Sequence, residues 1–387
     1  MKTLRSGRNR RKWIYVLLLM GLLGLSGCGS PSSASVEMSS QTELVKTGSM
    51  ELQYAENFAV DYYEDGYKML TTLPDSKRYL LVPEGQPVPR GLDEDVSTLQ
   101  EPLQNIYLVA SGAMDMFASL DAVDQIRFSG QKQENWYIQT AKDAMAAGDM
   151  IYAGKYSKPD YELLVSEGCD LAIENRMITH SPEVVEMLQS FGIPVMIEYS
   201  SYEQHPLGKV EWVKFFGALT GKEAEAEEAF AEQTEILEKV ESGEKTGKTI
   251  AFFYVTSNGL IQVRQSTDYI PKLIELAGGR YIFENLEDSG SGRSTLNMQV
   301  EDFYAGAKDA DILIYNSSID GGVTTVDELI GKCNILKDFK AVQEGQVYCT
   351  TNDMYQQSMA VGYLLQDMHT VLTDDDTAKL RYLFLLQ

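Results

Sequence analysis

The hydrophobic positions of this chain form two successions of short apolar runs and amphipathic segments. In the first succession, apolar runs alternate with stretches of helical periodicity. The predicted strands are 106–110, 125–129, a strand ending at residue 151, 171–174 and 195–198. The predicted helices are 113–123, 138–147, 159–167, 181–191 and 209–219. Strands that alternate with helices across short loops are typical of a largely parallel sheet covered on both faces.

The second succession repeats this pattern. Its predicted strands are 250–255, 260–263, 312–315 and 346–348, and its predicted helices are 269–277, 300–307 and 356–372. Two alternating runs, 52–63 and 77–82, precede the first succession and suit antiparallel edge strands. The whole pattern predicts an α/β fold of two Rossmann-like lobes with largely parallel sheets.

Residues 220–243 separate the two successions and predict one long, isolated helix. The segment is bracketed by Gly221 and Gly243, lacks proline and is rich in strong helix formers. Its narrow apolar stripe and many glutamates predict a mostly solvent-exposed strut. We therefore expect this helix to join an N-terminal lobe, 49–219, to a C-terminal lobe, 244–387. Loops that follow the strands would line a ligand cleft between the lobes.

The N-terminus predicts export and lipid anchoring. Six of the 33 basic residues lie before Trp13, and an apolar run, 13–25, follows. This run is shorter than the about 20 residues that span a membrane comfortably, so a signal peptide is favoured over a single-pass anchor. Leu-Ser-Gly-Cys at 25–28 is similar to the lipobox of bacterial lipoproteins, which implies a signal peptide, 1–27, and lipidation of Cys28. Residues 28–48, rich in Ser and Thr, then form a flexible tether.

Composition and motifs exclude several classes of function. The net charge of −24 would repel phosphates, so a nucleic-acid partner is not expected. The motifs of serine hydrolases, zinc proteases, P-loop proteins and dinucleotide-binding enzymes are missing from the sequence. The three histidines, His180, His205 and His369, are scattered, which disfavours a metal site built from several imidazoles. We expect no catalytic residue, no metal ligand and no cofactor.

The remaining cysteines do not indicate a metal or disulfide framework. Cys169, Cys333 and Cys349 are odd in number and lack the CxxC spacing. Cys333 and Cys349 could pair with each other. Cys169 precedes an apolar strand and fits a small buried thiol.

Aromatic and cationic residues cluster at or just after the predicted strand ends. Flat aromatic rings supply contact area, and arginine recognises anionic oxygens with a planar fork of donors. This pattern favours a large, flat or chelated anionic ligand. The alternative is that the tyrosines cap the cores and the arginines form salt bridges to nearby glutamates. The residues predicted to contact the ligand are Trp136, Tyr137, Tyr156, Arg176, Tyr199, Arg264 and Tyr355.

The chain resembles the substrate-binding lipoproteins of bacterial ABC importers, in the single-helix-hinge group that takes up ferric siderophores, haem and cobalamin. The resemblance is carried by the lipobox and by the segments 106–110, 152–164, 169–173, 273–279, 300–314 and 336–348. In that family one glutamate at the tip of each lobe engages arginines of the permease. By position these are Glu162, in Pro-Asp-Tyr-Glu-Leu-Leu, and Glu301, in Gln-Val-Glu-Asp-Phe.

The resemblance implies a solute-binding protein, a monomer tethered to the extracellular face of the cell membrane, whose partners are an ABC permease and its ATPase. A ferric siderophore is the first expectation for its ligand, and haem or a corrinoid the next. Two alternatives stay open. One is a surface hydrolase with paired carboxylates, for which Glu174 and Glu198 at strand ends are the candidates. The other is a sensor or adhesion module on the same fold.

Overall fold

A computed structural model describes residues 44–286, 294–318, 320–374 and 377–387. Residues 42–387 form one compact unit. The predicted signal peptide, the predicted lipidation site Cys28 and most of the predicted tether lie outside the described residues. The first described strand, β1, begins at Lys46, inside the segment predicted as tether.

The described residues form strands and helices that alternate along most of the chain. The strands are β1 (Lys46–Ser49), β2 (Phe58–Tyr63), β3 (Lys68–Thr72), β4 (Lys77–Val82), β5 (Val96–Gln100), β6 (Ile106–Leu108), β7 (Ile126–Ser129), β8 (Ile151–Tyr152), β9 (Gly154–Lys155), β10 (Lys158–Pro159), β11 (Leu171–Asn175), β12 (Val195–Glu198), β13 (Thr249–Val255), β14 (Ile261–Arg264), β15 (Arg280–Tyr281), β16 (Thr295–Met298), β17 (Ile312–Tyr315), β18 (Val347–Thr350) and β19 (Leu383–Leu385). The helices are α1 (Ser111–Ser119), α2 (Gln139–Ala147), α3 (Tyr161–Ser166), α4 (Pro182–Ser190), α5 (Pro206–Thr220), α6 (Glu223–Glu241), α7 (Tyr269–Leu276), α8 (Val300–Ala307), α9 (Val326–Lys332), α10 (Lys340–Gln343) and α11 (Val361–Thr373).

The first five strands form a sheet of their own, in the order β1-β2-β3-β4-β5. The pairs from β1 to β4 are antiparallel, and β4 pairs with β5 in parallel. The strands predicted at 52–63 and 77–82 are present as β2 and β4. The expectation that they are edge strands of the first lobe is wrong, because β2 pairs with β1 and β3, and β4 pairs with β3 and β5. The sequence pattern predicted neither β3 nor β5.

The first-lobe sheet is entirely parallel, in the order β12-β11-β6-β7-β8. The second-lobe sheet has the order β16-β14-β13-β17-β18-β19, with β15 beside β13. Its inner strands β13, β17 and β18 are parallel, whereas β14, β16 and β19 are antiparallel. Helices pack on these sheets, so the predicted α/β fold class is confirmed. All predicted strands of the two lobes are present within a few residues of their expected bounds.

Helix α5 is the most deeply buried helix of the described chain. Every residue from Pro206 to Leu219 is buried, although the sequence of the helix includes Lys209, Glu211 and Lys214. Such a helix must satisfy its own charged groups inside the protein. It begins at Pro206, which needs no backbone N–H at the first helical position, and ends at Gly221, whose φ is 72°.

Two buried carboxylates fix the segment before β2 to this helix. The carboxylate of Glu211 accepts hydrogen bonds of 2.8–3.1 Å from the backbone N–H groups of residues 53–55. Glu203, just before α5, accepts from the N–H groups of Glu56 and Asn57 and from the indole of Trp212. Five consecutive N–H groups are thus satisfied by two side chains, because this segment has no strand partner of its own. The first sheet is thereby tied to α5.

The helix predicted at 220–243 is present as α6, but the expectation that it is isolated is wrong. Its apolar stripe is buried against α5 and α11. Two glycines allow this close packing. A Cβ atom on Gly217 of α5 would lie 2.6 Å from the Cβ of Ala226, and one on Gly362 of α11 would lie 2.8 Å from Oε1 of Gln233. Lys214 also links α5 to α6, with its Nζ 2.9 Å from Glu227.

One hydrophobic core extends across both lobes. It contains Leu108 and Ile173 of the first-lobe sheet, Phe252 and Ile314 of the second-lobe sheet, and the apolar faces of α1, α5, α6, α7 and α11. Separate cores cover the far faces of the two sheets. The helices between the lobes are therefore a shared layer, which restricts how far the lobes can move apart.

We expect Glu211→Ala to lower the free energy of unfolding by about 3–5 kcal/mol, because it leaves the N–H groups of residues 53–55 without their acceptor and removes one of the two carboxylates near the buried Lys214. Denaturant unfolding followed by circular dichroism would measure the loss. The control is Glu228→Ala on the exposed face of α6, which should change stability by less than about 0.5 kcal/mol. Equal effects of the two substitutions would contradict this role of Glu211.

Candidate functional site

Loops at the carboxyl ends of the two sheets meet in a contact between the lobes. The loop after β7 carries Asn135 and Tyr137, and the loop after β18 carries Tyr355 and Gln356. The side-chain amide of Gln356 bonds the carbonyl oxygen of Asn135 and the N–H of Tyr137, each at 2.8 Å. In parallel sheets ligands bind at this edge, so the contact lies where a solute site is expected.

Two of the predicted ligand residues face each other across this contact. The rings of Tyr137 and Tyr355 are 6.2 Å apart and nearly perpendicular, at 85°. Tyr137 is 44% exposed and Tyr355 is half-buried. Tyr137 keeps surface open for a further partner, and Nζ of Lys142 lies 5.9 Å from its ring centre. We name Tyr137 and Tyr355 the tyrosine pair.

Arg176 and Tyr199 form a second group at the ends of β11 and β12. The guanidinium of Arg176 lies over the ring of Tyr202, 4.4 Å from its centre, in a cation–π contact. Burial raises the pKa of Tyr199, and the positive charge of Arg176 opposes that rise. Tyr199 is only 6% exposed, so it offers little surface to a ligand.

Trp136 and Tyr156 occupy positions that differ from the expectation. Trp136 is 1% exposed and its indole N–H donates to Oγ of Ser129 at 3.0 Å. It is a core residue, and its predicted contact with a ligand is corrected for that reason. Tyr156 lies in the turn between β9 and β10 and packs against the core on the α3–α4 side of the first-lobe sheet. The structure does not bring it into contact with the tyrosine pair.

Arg264 lies with its charge partner in the second lobe. Its Nη1 is 3.4 Å from Asp268, and its guanidinium lies 5.7 Å from the ring of Phe252. Burial raises the pKa of Asp268, and the positive charge of Arg264 opposes that rise. Arg264 therefore forms a salt bridge, which was the alternative to ligand contact, although its partner is an aspartate and not a glutamate.

A buried lysine at the start of α5 lies where the two lobes join. Lys209 is 7% exposed, and its Nζ lies 4.9 Å from the ring centre of Tyr269. Within the described chain no carboxylate oxygen lies within ion-pair distance of this ammonium. Its charge nevertheless opposes the rise in pKa that burial causes at Asp115, Glu198 and Asp268. The pKa of Asp115 is still raised to about 6. Sequence reasoning missed Lys209, because a lone lysine in an amphipathic segment is usually exposed.

A pocket of about 290 Å³ has walls from both lobes. Tyr54, Glu56, Gln204 and His205 form one wall, and Ser266, Thr267, Asp268 and Lys272 form the other. His205 stacks on Tyr54 with ring centres 4.4 Å apart. This volume is close to the lower limit for small-ligand sites, and none of its lining residues was predicted from the sequence.

The two carboxylates considered for a hydrolase lie on opposite faces of the first-lobe sheet. Glu174 pairs in register with Ile197, and Glu198 pairs with Asn175, one position further along. Because successive strand residues point to opposite faces, Glu174 and Glu198 diverge. Glu174 is also completely buried on the side of α3 and α4. They therefore cannot act together on one substrate bond, and the paired-carboxylate hydrolase is not supported.

The two predicted docking glutamates are both exposed. Glu162 lies in the first turn of α3, and Glu301 lies in the first turn of α8. Among the described residues neither has an ion-pair partner. Val165 and Phe191, both nearly half exposed, lie on α3 and at the end of α4 and give the Glu162 side an apolar surround.

Other expected features concern metals, cysteines and membrane spans. Cys169, Cys333 and Cys349 are free, so the possible Cys333–Cys349 bond is absent. Over the described ranges, no group of three or more His, Cys, Asp or Glu side chains could hold a metal ion. No helix in the described ranges has both the length and the apolar character needed to cross a membrane.

Comparison with known proteins relates the chain to a family of binding proteins. A family model described as periplasmic binding protein matches residues 110–354. An uncharacterized lipoprotein of Methanocaldococcus jannaschii is 24% identical over 93% of this chain and 92% of its own length. The family-model match starts at residue 110, so β1–β6 lie outside the region that it matches.

Solved structures share the fold at low sequence identity. A periplasmic haem-binding protein of Vibrio cholerae has a TM-score of 0.55 at 14% identity, over 69% of this chain and 98% of that one. A protein of an ABC-type Fe3+-hydroxamate transport system from Saccharomonospora viridis has a TM-score of 0.53 at 17% identity, over 70% of this chain and 93% of that one. These similarities confirm the two-lobe α/β fold.

We expect Glu174→Gln to reduce the pH dependence of stability. Burial raises the pKa of Glu174 to about 8 from a value near 4.5 in the unfolded chain, and both its oxygens lack hydrogen-bond partners in the described structure. The folded state therefore holds a proton that the unfolded state releases, so this group lowers stability as pH rises from 4.5 to 8. The loss is on the order of 3–5 kcal/mol.

Unfolding free energies of the parent and the variant at pH 5 and pH 8.5 would measure the effect. The matched control is Glu162→Gln, which makes the same exchange on the exposed face of α3. A parent protein as stable at pH 8.5 as at pH 5, or a variant with an unchanged slope, would show that Glu174 is ionised at little cost.

Proposed function

The chain belongs to the periplasmic binding protein family of substrate-binding proteins, and from this we propose that it is the solute-binding component of an ABC importer. It captures a metal chelate between its lobes and delivers it to a membrane permease. A ferric siderophore is the first choice of cargo, and haem or a corrinoid the second. No bond of the solute is made or broken in this role.

The observation that carries the proposal is the tyrosine pair, one ring from each lobe, at the carboxyl ends of the parallel strands. Rings from opposite lobes can hold a large planar or chelated solute at low entropic cost. Arg176, at the end of β11, would supply a cation for its anionic oxygens. The haem-binding and Fe3+-hydroxamate transport proteins that share the fold handle solutes of this kind, which supports the same class here.

The shared helical layer favours a small closing motion. A core that continues through both lobes resists wide separation, because opening would expose buried side chains of α5, α6 and α11. The solute would therefore enter a cleft that is largely formed in advance. Lobe movement would be limited to the loops that carry the tyrosine pair.

Delivery would use the exposed glutamates at the two lobes. Glu162 and Glu301 would each receive a guanidinium group of the permease, and their separation, fixed by the helical layer, would orient the complex. Anchoring through Cys28 would hold the monomer at the extracellular face of the membrane, and the related archaeal lipoprotein supports such an anchor.

We expect one chelate class to raise the thermal midpoint of protein that lacks residues 1–41. Ferrichrome, ferric enterobactin, haemin and cyanocobalamin represent the classes, and iron-free chelators and bare metal ions are the controls. At a hundredfold excess over its dissociation constant a ligand stabilises the folded state by about 2.7 kcal/mol. No shift with any of the four chelates would overturn the proposed cargo.

We expect the double variant Glu162→Arg/Glu301→Arg to bind the cargo normally but to lose delivery, because its charges would repel the permease arginines. Solute-stimulated ATP hydrolysis by the reconstituted transporter measures delivery. Glu228→Arg, which reverses an exposed charge on α6, should leave that stimulation intact. Full stimulation by the double variant would exclude both glutamates from docking.

A further inference from the structure

Gln356 makes three hydrogen bonds at the solute site while fully buried. Its Oε1 accepts from the N–H of Tyr137, and its Nε2 donates to the carbonyl oxygen of Asn135 and to the hydroxyl oxygen of Tyr355, each at 2.8 Å. The side chain is 0% exposed. One amide therefore connects the two lobes and also contacts a member of the tyrosine pair.

The direction of these bonds is fixed by the backbone. The N–H of Tyr137 can only donate and the carbonyl of Asn135 can only accept, so the amide of Gln356 has a single orientation that satisfies both. Its NH2 group must then lie next to the hydroxyl of Tyr355. Since an amide NH2 cannot accept a hydrogen bond, Tyr355 is the acceptor in this pair.

This orientation leaves the proton of Tyr355 directed elsewhere. A phenol whose oxygen accepts from Gln356 still has its own O–H to donate, and no residue in the described ranges accepts it. Burial raises the pKa of Tyr355, which keeps that proton in place at neutral pH. The ring is half-buried and lies against Tyr137, so the free donor is held beside the surface proposed to receive the solute.

We propose that Gln356 is a positioning residue that makes Tyr355 a hydrogen-bond donor to the bound solute. The solute therefore presents an acceptor oxygen, such as a hydroxamate, catecholate or carboxylate oxygen, at the tyrosine pair. Because the same amide bonds residues 135 and 137, the donor is oriented only while the two lobes are in contact. This inference rests on the proposed function and specifies the ligand chemistry of its site.

Gln356→Glu is the sharpest test of this role. A carboxylate cannot donate to the carbonyl of Asn135, and it would accept the proton of Tyr355 and so remove the donor from the solute. Dissociation constants are measured for ferrichrome, ferric enterobactin, haemin and cyanocobalamin. For whichever of these chelates the parent protein binds, Tyr355→Phe and Gln356→Glu should each raise the dissociation constant about tenfold. This is the usual cost of losing one such hydrogen bond.

The double variant separates positioning from a general structural effect. If both substitutions remove the same donor, Tyr355→Phe with Gln356→Glu binds no worse than either alone. Losses that multiply to about a hundredfold would overturn the inference. Gln343→Glu, the same exchange on the exposed end of α10, should leave binding within about twofold of the parent.

A spectroscopic test needs no ligand. Ultraviolet resonance Raman difference spectra, parent minus Tyr355→Phe, isolate the ring doublet of Tyr355, whose intensity ratio separates hydrogen-bond acceptors from donors. The parent should give a ratio that shows the phenol oxygen accepting from Gln356, and Gln356→Glu the lower ratio of a phenol that only donates. Should a variant fail to fold, Gln356→Met, an uncharged side chain of similar length, should lower the ratio instead.

The two experiments fail in different ways. A donor ratio in the parent would overturn the role of Gln356 even if a chelate binds. An acceptor ratio together with no binding of any of the four chelates would overturn the proposed cargo and leave the orientation of Tyr355 established.

Discussion

The fold depends on burying α5, a helix that carries three charged residues, at its centre. Burial of two of these charges is tolerated because Glu211 is satisfied by backbone N–H groups from residues 53–55, and Lys214 by Glu227 of α6. Each of these interactions ties another part of the chain to α5. Glu211 holds residues 53–55, which lead into β2 of the first sheet, and Lys214 holds α6. Sheets and helices far apart in sequence are thus arranged around one helix whose polar groups would otherwise destabilise it.

The same burial shapes the site. Since α5 and its neighbours share one core with both sheets, the lobes are held together at their base by many apolar contacts. At the carboxyl ends of the strands, by contrast, the contact includes one amide, two rings and a hydrogen bond from the N–H of Met359 to Asp115. A site with a rigid base and a more polar contact at its mouth could admit a solute without disturbing the core.

The local spacing of hydrophobic residues predicted much of the fold, because each strand or helix of the lobes buries one regular face, and that face appears in the sequence as a regular hydrophobic spacing. The first sheet was predicted only in part: β3 and β5 are recognisable by their pairing with β4, which no local pattern reveals. At the site, Trp136 and Tyr137 are neighbours of similar character, yet one is buried and the other exposed. Gln356 could not have been found at all, since its partner Asn135 lies 221 residues away in the chain. Sequence therefore located the right loops but not the contacts between them.

The close approach of α5, α6 and α11 at Gly217 and Gly362 has a consequence at the surface. The thickness of this layer sets the angle between the lobes, and small angular changes are amplified with distance from the layer. An added methyl group at either glycine would act as a spacer between the helices, and would alter the separation of Glu162 and Glu301, which lie on different lobes. If a permease docks on both glutamates as proposed, its fit would therefore depend in part on two interior positions that it would never touch.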